Sequence, residues 1–320
     1  MPANRNEKGN IMKNVKLKLA VFGALGLASA QAMAALAVLP TSGTTPYVQC
    51  RVAGNFGAQT DNTVPPAGDS ACAATNGVGA ALNLNSTPEP GFVLSTSNTS
   101  TITAFSETLG TLNERVFVNS PSPITQCIYA KQINMSNTGT HDYNPQRSGT
   151  NRMEVNDFAF GGYTGAVSAG YAKNNATTNS SVFRIGRTFT SVQMQANVIG
   201  GASVAPGYQV LPPAGGTLGT EINGVGQTLT PPGAPTAAQQ LAAFSGTHNW
   251  VDFTTDVVAA ADEDGTSNAG APNMYIKQAC TANTTTATAG NFKIRQTGQE
   301  TQPFVTVTGT SRAPGTSTAP

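Results

Sequence analysis

Charge is scarce in this chain. Only 10% of its 320 residues are Asp, Glu, Lys or Arg, against roughly 25% in an ordinary soluble domain. Solubility must therefore rest on neutral polar groups. The abundant Thr, Asn, Ser and Gly supply them, and Thr also suits a pleated strand. Sparse charge weakens the repulsion that keeps copies apart and leaves strand edges less protected, so such a chain tolerates self-association. No basic stripe is present. Between Arg187 and Lys277 there is no Lys or Arg at all, while Glu221, Asp252, Asp256, Asp262, Glu263 and Asp264 fall in that interval. A nucleic-acid partner, which needs a basic face to neutralise phosphates, is excluded as an expectation.

Catalytic signatures are missing too. The two histidines are His141 and His248, and any imidazole chemistry must use one of them. His141-Asp142 sits in a polar stretch. No Gly-x-Ser-x-Gly elbow occurs; Ala166-Val167-Ser168-Ala169-Gly170 comes nearest and lacks the first glycine. Gly68-Asp69-Ser70 resembles the start of a GDSL-type esterase block over three residues only. The Asp-x-x-His that should follow is absent, because Ser245 stands three before His248. The expectation is that the protein is not an enzyme. There is no repeat of fixed period, no prepilin-type glycine ahead of a long apolar helix, and no C-terminal wall-sorting or outer-membrane strand pattern.

What is present begins with residues 1–34, which read as an export signal. Lys13, Lys16 and Lys18 precede an apolar run from Leu19 to Ala30, and Ala32-Met33-Ala34 forms a small-x-small cleavage site. The run is too short to anchor in a bilayer. A mature start at Ala35 or Val38 follows, with translation from Met1 or Met12. The expected location is secreted, extracellular or cell-surface, and not integral to a membrane. The leader carries five basic residues (Arg5, Lys8, Lys13, Lys16, Lys18) and one acid (Glu7), so the mature chain is slightly acidic.

Cys50, Cys72, Cys127 and Cys280 all follow the leader. An even count in an exported chain reads as two disulfides. Of three possible pairings, Cys50–Cys72 with Cys127–Cys280 is preferred. The first closes a turn-rich stretch around Pro65-Pro66, and the second ties a central strand (Ile124 to Ile133) to a late one (Met274 to Cys280). No Cys-x-x-Cys pair and no Cys/His spacing suits zinc. No cofactor is expected, Ca²⁺ excepted. Its candidate is Asp262 with Asp264 in Asp262-Glu263-Asp264-Gly265-Thr266-Ser267-Asn268, where Gly265 falls too early for an EF-hand, so the alternatives are a non-EF Ca²⁺ loop or a solvated acidic turn.

Many short β-rich runs separated by turn residues predict an all-β fold, a sandwich or barrel-like domain of short antiparallel strands with long Gly/Pro-rich loops and at most one short helix. Residues 35–49 read as an extended N-terminal segment and 50–308 as the β-rich domain. The Gly/Pro-rich 200–235 stretch is either an insertion or the divide between two lobes, and 309–320 reads as a disordered tail. Expected strands include Phe92 to Leu94, Thr99 to Phe105, Arg115 to Val118, Cys127 to Tyr129, Val155 to Phe160, Ser181 to Ile185, Phe189 to Ile199, Trp250 to Val258 and Asn273 to Ala279. A hairpin is expected from Phe292 to Gln296 and Phe304 to Thr308. Glu107 to Glu114 reads as a turn or one helical turn, and Ala237 to Phe244 as the single helix.

Two function classes fit. One is a structural subunit of an extracellular filament or other cell-surface assembly, pilus-like in self-associating by strand exchange. Its partner is then the chain itself, as a homo-oligomer or polymer. The donated segment would be the mature N-terminus, with Leu36, Val38 and Leu39 as apolar contacts, or else the strand from Phe304 to Thr308. The N-terminus is preferred because cleavage frees it and its two prolines tie it weakly to its own core. The alternative is a secreted adhesin-like or carbohydrate-binding module, for which Tyr143, Tyr163 and Tyr171 with nearby Asn and Gln could form a sugar surface.

Overall fold

In the computed structural model, the structure describes residues 36–39, 47–50, 72, 74, 81–119, 125–145, 147–174, 182, 184–187, 249–260, 269–281, 287–297 and 304–317. The chain separates into Met1–Met33 and Ala34–Pro320, and everything described belongs to the second unit. It is all-β, with no helix among the described residues. In chain order the strands are β1 (Ala37–Val38), β2 (Tyr47–Gln49), β3 (Val93–Ala104), β4 (Glu107–Asn119), β5 (Gln126–Met135), β6 (Glu154–Gly161), β7 (Val167–Ala172), β8 (Arg184–Gly186), β9 (Trp250–Val258), β10 (Asn273–Ala279), β11 (Ala287–Thr297) and β12 (Phe304–Arg312).

They form two antiparallel sheets. The first runs β1-β7-β10-β5-β4-β3 and the second β12-β11-β6-β9-β8-β2. The sheets are joined by one apolar layer. Leu112, Val116, Tyr129, Ile133, Ala169, Tyr171, Met274 and Ile276 from the first sheet meet Val155, Phe158, Phe160, Val251, Phe253, Phe292, Ile294 and Val307 from the second. This is a sandwich, in which alternate residues of each strand face inward.

Period-two alternation accounts for most of these strands. In β5, Cys127, Tyr129, Lys131 and Ile133 face the core, while Ile128 and Ala130 lie in a second, smaller cluster with Phe92, Phe117, Tyr275, Leu36 and Ala74. The middle of the first sheet (β4, β5, β10 and β7) is thus buried on both faces, its outer side covered by the segment around 82–92, while β3 keeps one solvated face. In β6 the register shifts between Val155 and Asp157, so Val155 and Phe158 both face inward despite their odd spacing.

Several expectations need correction. Glu107 to Glu114 is not a turn; it is the first half of β4. The alternation Leu112, Glu114, Val116 is real, but Glu114 stands where an apolar residue was sought. Phe92–Leu94 and Thr99–Phe105 are not separate strands: Val93–Ala104 is continuous. Its Ser-Thr-Ser-Asn middle reads as a turn by composition, yet neutral polar residues are at home on a strand with one solvated face. The turn lies instead at Phe105 and Ser106, both at positive φ (51° and 63°), as a two-residue hairpin of primed type requires. The 309–320 tail is mostly ordered. β12 runs to Arg312 against Ala287, and the buried Asn291 side chain holds Gly315 O (2.8 Å) and Ser317 N (2.7 Å). The leader, the Phe189–Ile199 strand, the 200–235 stretch, the 237–244 helix and His248 lie outside the described residues, as do Asp262 and Asp264.

Both disulfides are present, Cys50–Cys72 and Cys127–Cys280, and there is no free cysteine. The second joins Cys127 in β5 to Cys280, one residue past the end of the neighbouring β10. By the chain-entropy account, loops of 22 and 153 residues correspond to roughly 3 and 5 kcal/mol of stabilisation.

Candidate assembly site at the β7 edge

β7 is Val-Ser-Ala-Gly-Tyr-Ala. Val167, Ala169 and Tyr171 enter the inter-sheet core, and Ala172 lies in the outer cluster. One long side of β7 pairs with β10. The other side is closed by three separate pieces of chain. Leu36–Leu39 covers the first part, with Ala37 opposite Ala169, Val38 opposite Ser168, and Leu39 N donating to Val167 O at 2.9 Å. Cys72 and Ala74 cover the middle: Tyr171 N donates to Cys72 O (2.9 Å), and Ala74 N to Tyr171 O (2.8 Å). Ala81 and Leu82 cover the end at Lys173.

The first piece is held chiefly by its side chains. Leu39 is 2% exposed in the inter-sheet core, and Leu36 is 3% exposed in the outer cluster, whereas Val38 is 72% exposed. Burying a leucine is worth about 1.5–3 kcal/mol, against about 1 kcal/mol for a backbone hydrogen bond. Two leucines therefore outweigh the short ladder. This corrects the expectation that the segment adds little to its own core: its leucines fill positions on both faces of the sheet edge. The backbone is also read. Leu36 N donates to Glu89 Oε1 at 3.2 Å, and both Glu89 oxygens accept from Lys277 Nζ (2.7 and 2.8 Å).

Other polar clusters have structural partners. At the centre of the sandwich, Lys131 Nζ donates to Glu114 Oε1 (2.5 Å), Ser311 Oγ (2.8 Å) and Arg312 O (2.5 Å), with both charged side chains 1% exposed. Burial works to raise the Glu114 pKa, but the Lys131 charge and hydrogen bonds from Lys131, Arg312 and Ser311 outweigh it and hold the carboxyl low. Burial lowers Lys131, with Glu114 opposing. On the outer face of the second sheet, Arg295 reaches Asp157 (2.6 Å) and Asp252 (3.4 Å). Burial, reinforced by the Asp157 charge and opposed by Arg295, pushes Asp252 well above the usual carboxylate range.

Of the features considered for catalysis and sugar binding, His141, Asp142 and the three tyrosines have structural partners or are buried, while Gly68-Asp69-Ser70 lies outside the described residues. The His141 ring stacks on Phe105 at 3.9 Å and meets Tyr143 edge-on. Asp142 Oδ1 accepts from Asn144 N, Asn151 N and Asn151 Nδ2, an Asx-type turn. Tyr143, Tyr163 and Tyr171 are all buried, so they present no stacking platform. Beside them Glu107 accepts from Thr140 Oγ1 (2.6 Å), Thr140 N (2.7 Å) and His141 N (3.1 Å). These bonds, led by the Thr140 hydroxyl, lower its pKa to about 2.

Sequence reasoning named Leu36, Val38 and Leu39, and the structure places all three on β7. It missed the receiving side: Gly170, Ala74, Glu89 and Lys277 carry no local signal, because they come together only through the sheet order. Among the described residues no group of three or more His, Cys, Asp or Glu is placed to hold a metal, and no helix is long and apolar enough to cross a membrane. The chain matches no protein-family model, no curated protein and no solved structure.

Proposed function

We propose that the protein is a structural subunit of an extracellular filament or other cell-surface assembly, whose copies join by strand exchange. One observation carries this reading: the first strand of the sandwich is a short segment at the N-terminal end of the folded unit, joined by two ladder positions yet anchored by two buried leucines. A segment of that kind can be supplied by another copy without loss of contacts, which is the physical basis of strand addition and domain swapping. The low charge and the two disulfides, which persist in oxidising compartments, support an exported building block.

Negative-stain microscopy of material sheared from cells, with antibody against this chain, tests it. Labelled filaments or sheets are expected. A uniformly monomeric protein, found free in the medium, would overturn the proposal and favour the secreted adhesin-like module instead.

A further inference from the structure

We infer that the Val167–Gly170 strip of β7 is the acceptor seat for the Leu36–Leu39 segment of a second copy of this chain; this rests on the strand-exchange reading. Three features of the β7 edge point there. Of the three pieces that close it, two are pinned in place. Cys72 is bonded to Cys50, and Ala81–Leu82 leads directly into the covering segment and β3. Only Leu36–Leu39 stands at the start of the unit Ala34–Pro320, and with the leader cleaved before Ala35 it can leave without unthreading the domain.

The seat also selects for shape. A Cβ added at Gly170 would lie 2.7 Å from Leu36 Cδ2 and 2.8 Å from Cys72 O. The glycine is therefore the floor of the Leu36 socket, with Ala74 and Ala172 in the same cluster. Leu39 fills the opposite, inner face. A donor must present leucines three residues apart, which fall on opposite faces of a strand, together with a backbone N–H for Glu89. Leu36–Leu39 of any copy meets these requirements.

Seven residues, 40–46, join the segment to β2. Fully extended they reach at most ~25 Å. A donating copy must therefore bring its β2 that close to its neighbour's β7, which demands tight head-to-tail packing. Each copy that gives its segment away vacates its own seat, so growth is open-ended unless the rotation closes a ring.

Val38 and Ser168 stand directly opposite each other in the ladder, and Val38 is exposed. A mature chain with Val38→Cys and one affinity tag is mixed, before assembly, with a chain carrying Ser168→Cys and a different tag, then oxidised. Neither chain can form the new bond within itself. The expected result is a disulfide-linked dimer carrying both tags. It should vanish when Val93→Cys replaces Ser168→Cys, and when Gly170→Val is added to the acceptor. If assemblies form, as seen by microscopy, but no two-tag dimer appears, the seat is wrong while the filament reading stands. If the unsubstituted mature chain does not assemble at all, the filament reading falls and takes the seat with it.

Discussion

The first sheet has two edges, and they are held in opposite ways. β3 is long and joined to β4 by a ladder running from Val93 opposite Val118 to Ala104 opposite Glu107. Ile102 is its only fully buried side chain, and Val93 and Leu94 face solvent. β1 has two ladder positions but two buried leucines. β3 is fixed by backbone and by a covalent hairpin; β1 is fixed by side-chain plugs at the end of the folded unit. On the strand-exchange proposal, ladder length is not what decides whether a strand can change partners. A strand can change partners when its stabilising contacts travel with it and one of its ends is free.

The largest expected effect strikes both edges together. Lys131→Ala leaves the Glu114 carboxylate buried without its counter-charge at the centre of the sandwich. A loss of about 3–5 kcal/mol is expected, read as a shift in urea midpoint. The double replacement Lys131→Met with Glu114→Leu should recover most of that loss, because it removes the charge with its partner. Recovery would show that the pair is held by mutual need and not by a net gain.

Truncating side chains at one edge at a time separates plug from ladder. Leu39→Ala should cost about 2–4 kcal/mol, as for other buried leucines. Val93→Ser or Leu94→Ser should stay within about 0.5 kcal/mol, as for exposed positions. Equal effects at the two edges, measured by chemical denaturation, would contradict the distinction drawn between plug and ladder.

How much of this was legible in sequence depends on how local the cause is. β5, β9, β10 and the β11–β12 hairpin follow from alternating apolar residues. β4 was misread because the inward-facing position between Leu112 and Val116 is Glu114, whose partner lies on the next strand. The 105–106 turn was misplaced because neither Phe nor Ser favours positive φ. There the strain is offset by the His141 stack and the Tyr143 edge contact, which no local pattern encodes. The donor leucines were visible because they are contiguous. The seat was not, since Gly170, Ala74, Glu89 and Lys277 meet only after β7 and β10 pair.

That turn supplies a smaller prediction on the β3 side. Ser106→Gly relieves one left-handed residue and leaves the Phe105 stack intact. It should raise stability by roughly 1 kcal/mol, seen as a higher Tm. Smaller still is the effect of acid on the same corner. The Glu107 pKa is depressed to about 2, so its contribution is present above the ordinary carboxylate range and is lost as pH falls from there toward 2. The protection of the Thr140 and His141 amides, relative to their intrinsic exchange rates, should fall over that range. In Glu107→Gln the exchange should already be faster at neutral pH and lose this step.

On the strand-exchange proposal, β1 is the exchangeable strand and β3 is not. The most direct measurement is light scattering, with microscopy, across a concentration series of the mature chain and of the same chain lacking residues 35–39. Filaments or higher oligomers are expected from the full mature chain and only monomer from the shortened one, whose native fold is verified by its two intact disulfides and cooperative melting. Assembly that persists unchanged in the shortened, folded chain would contradict it.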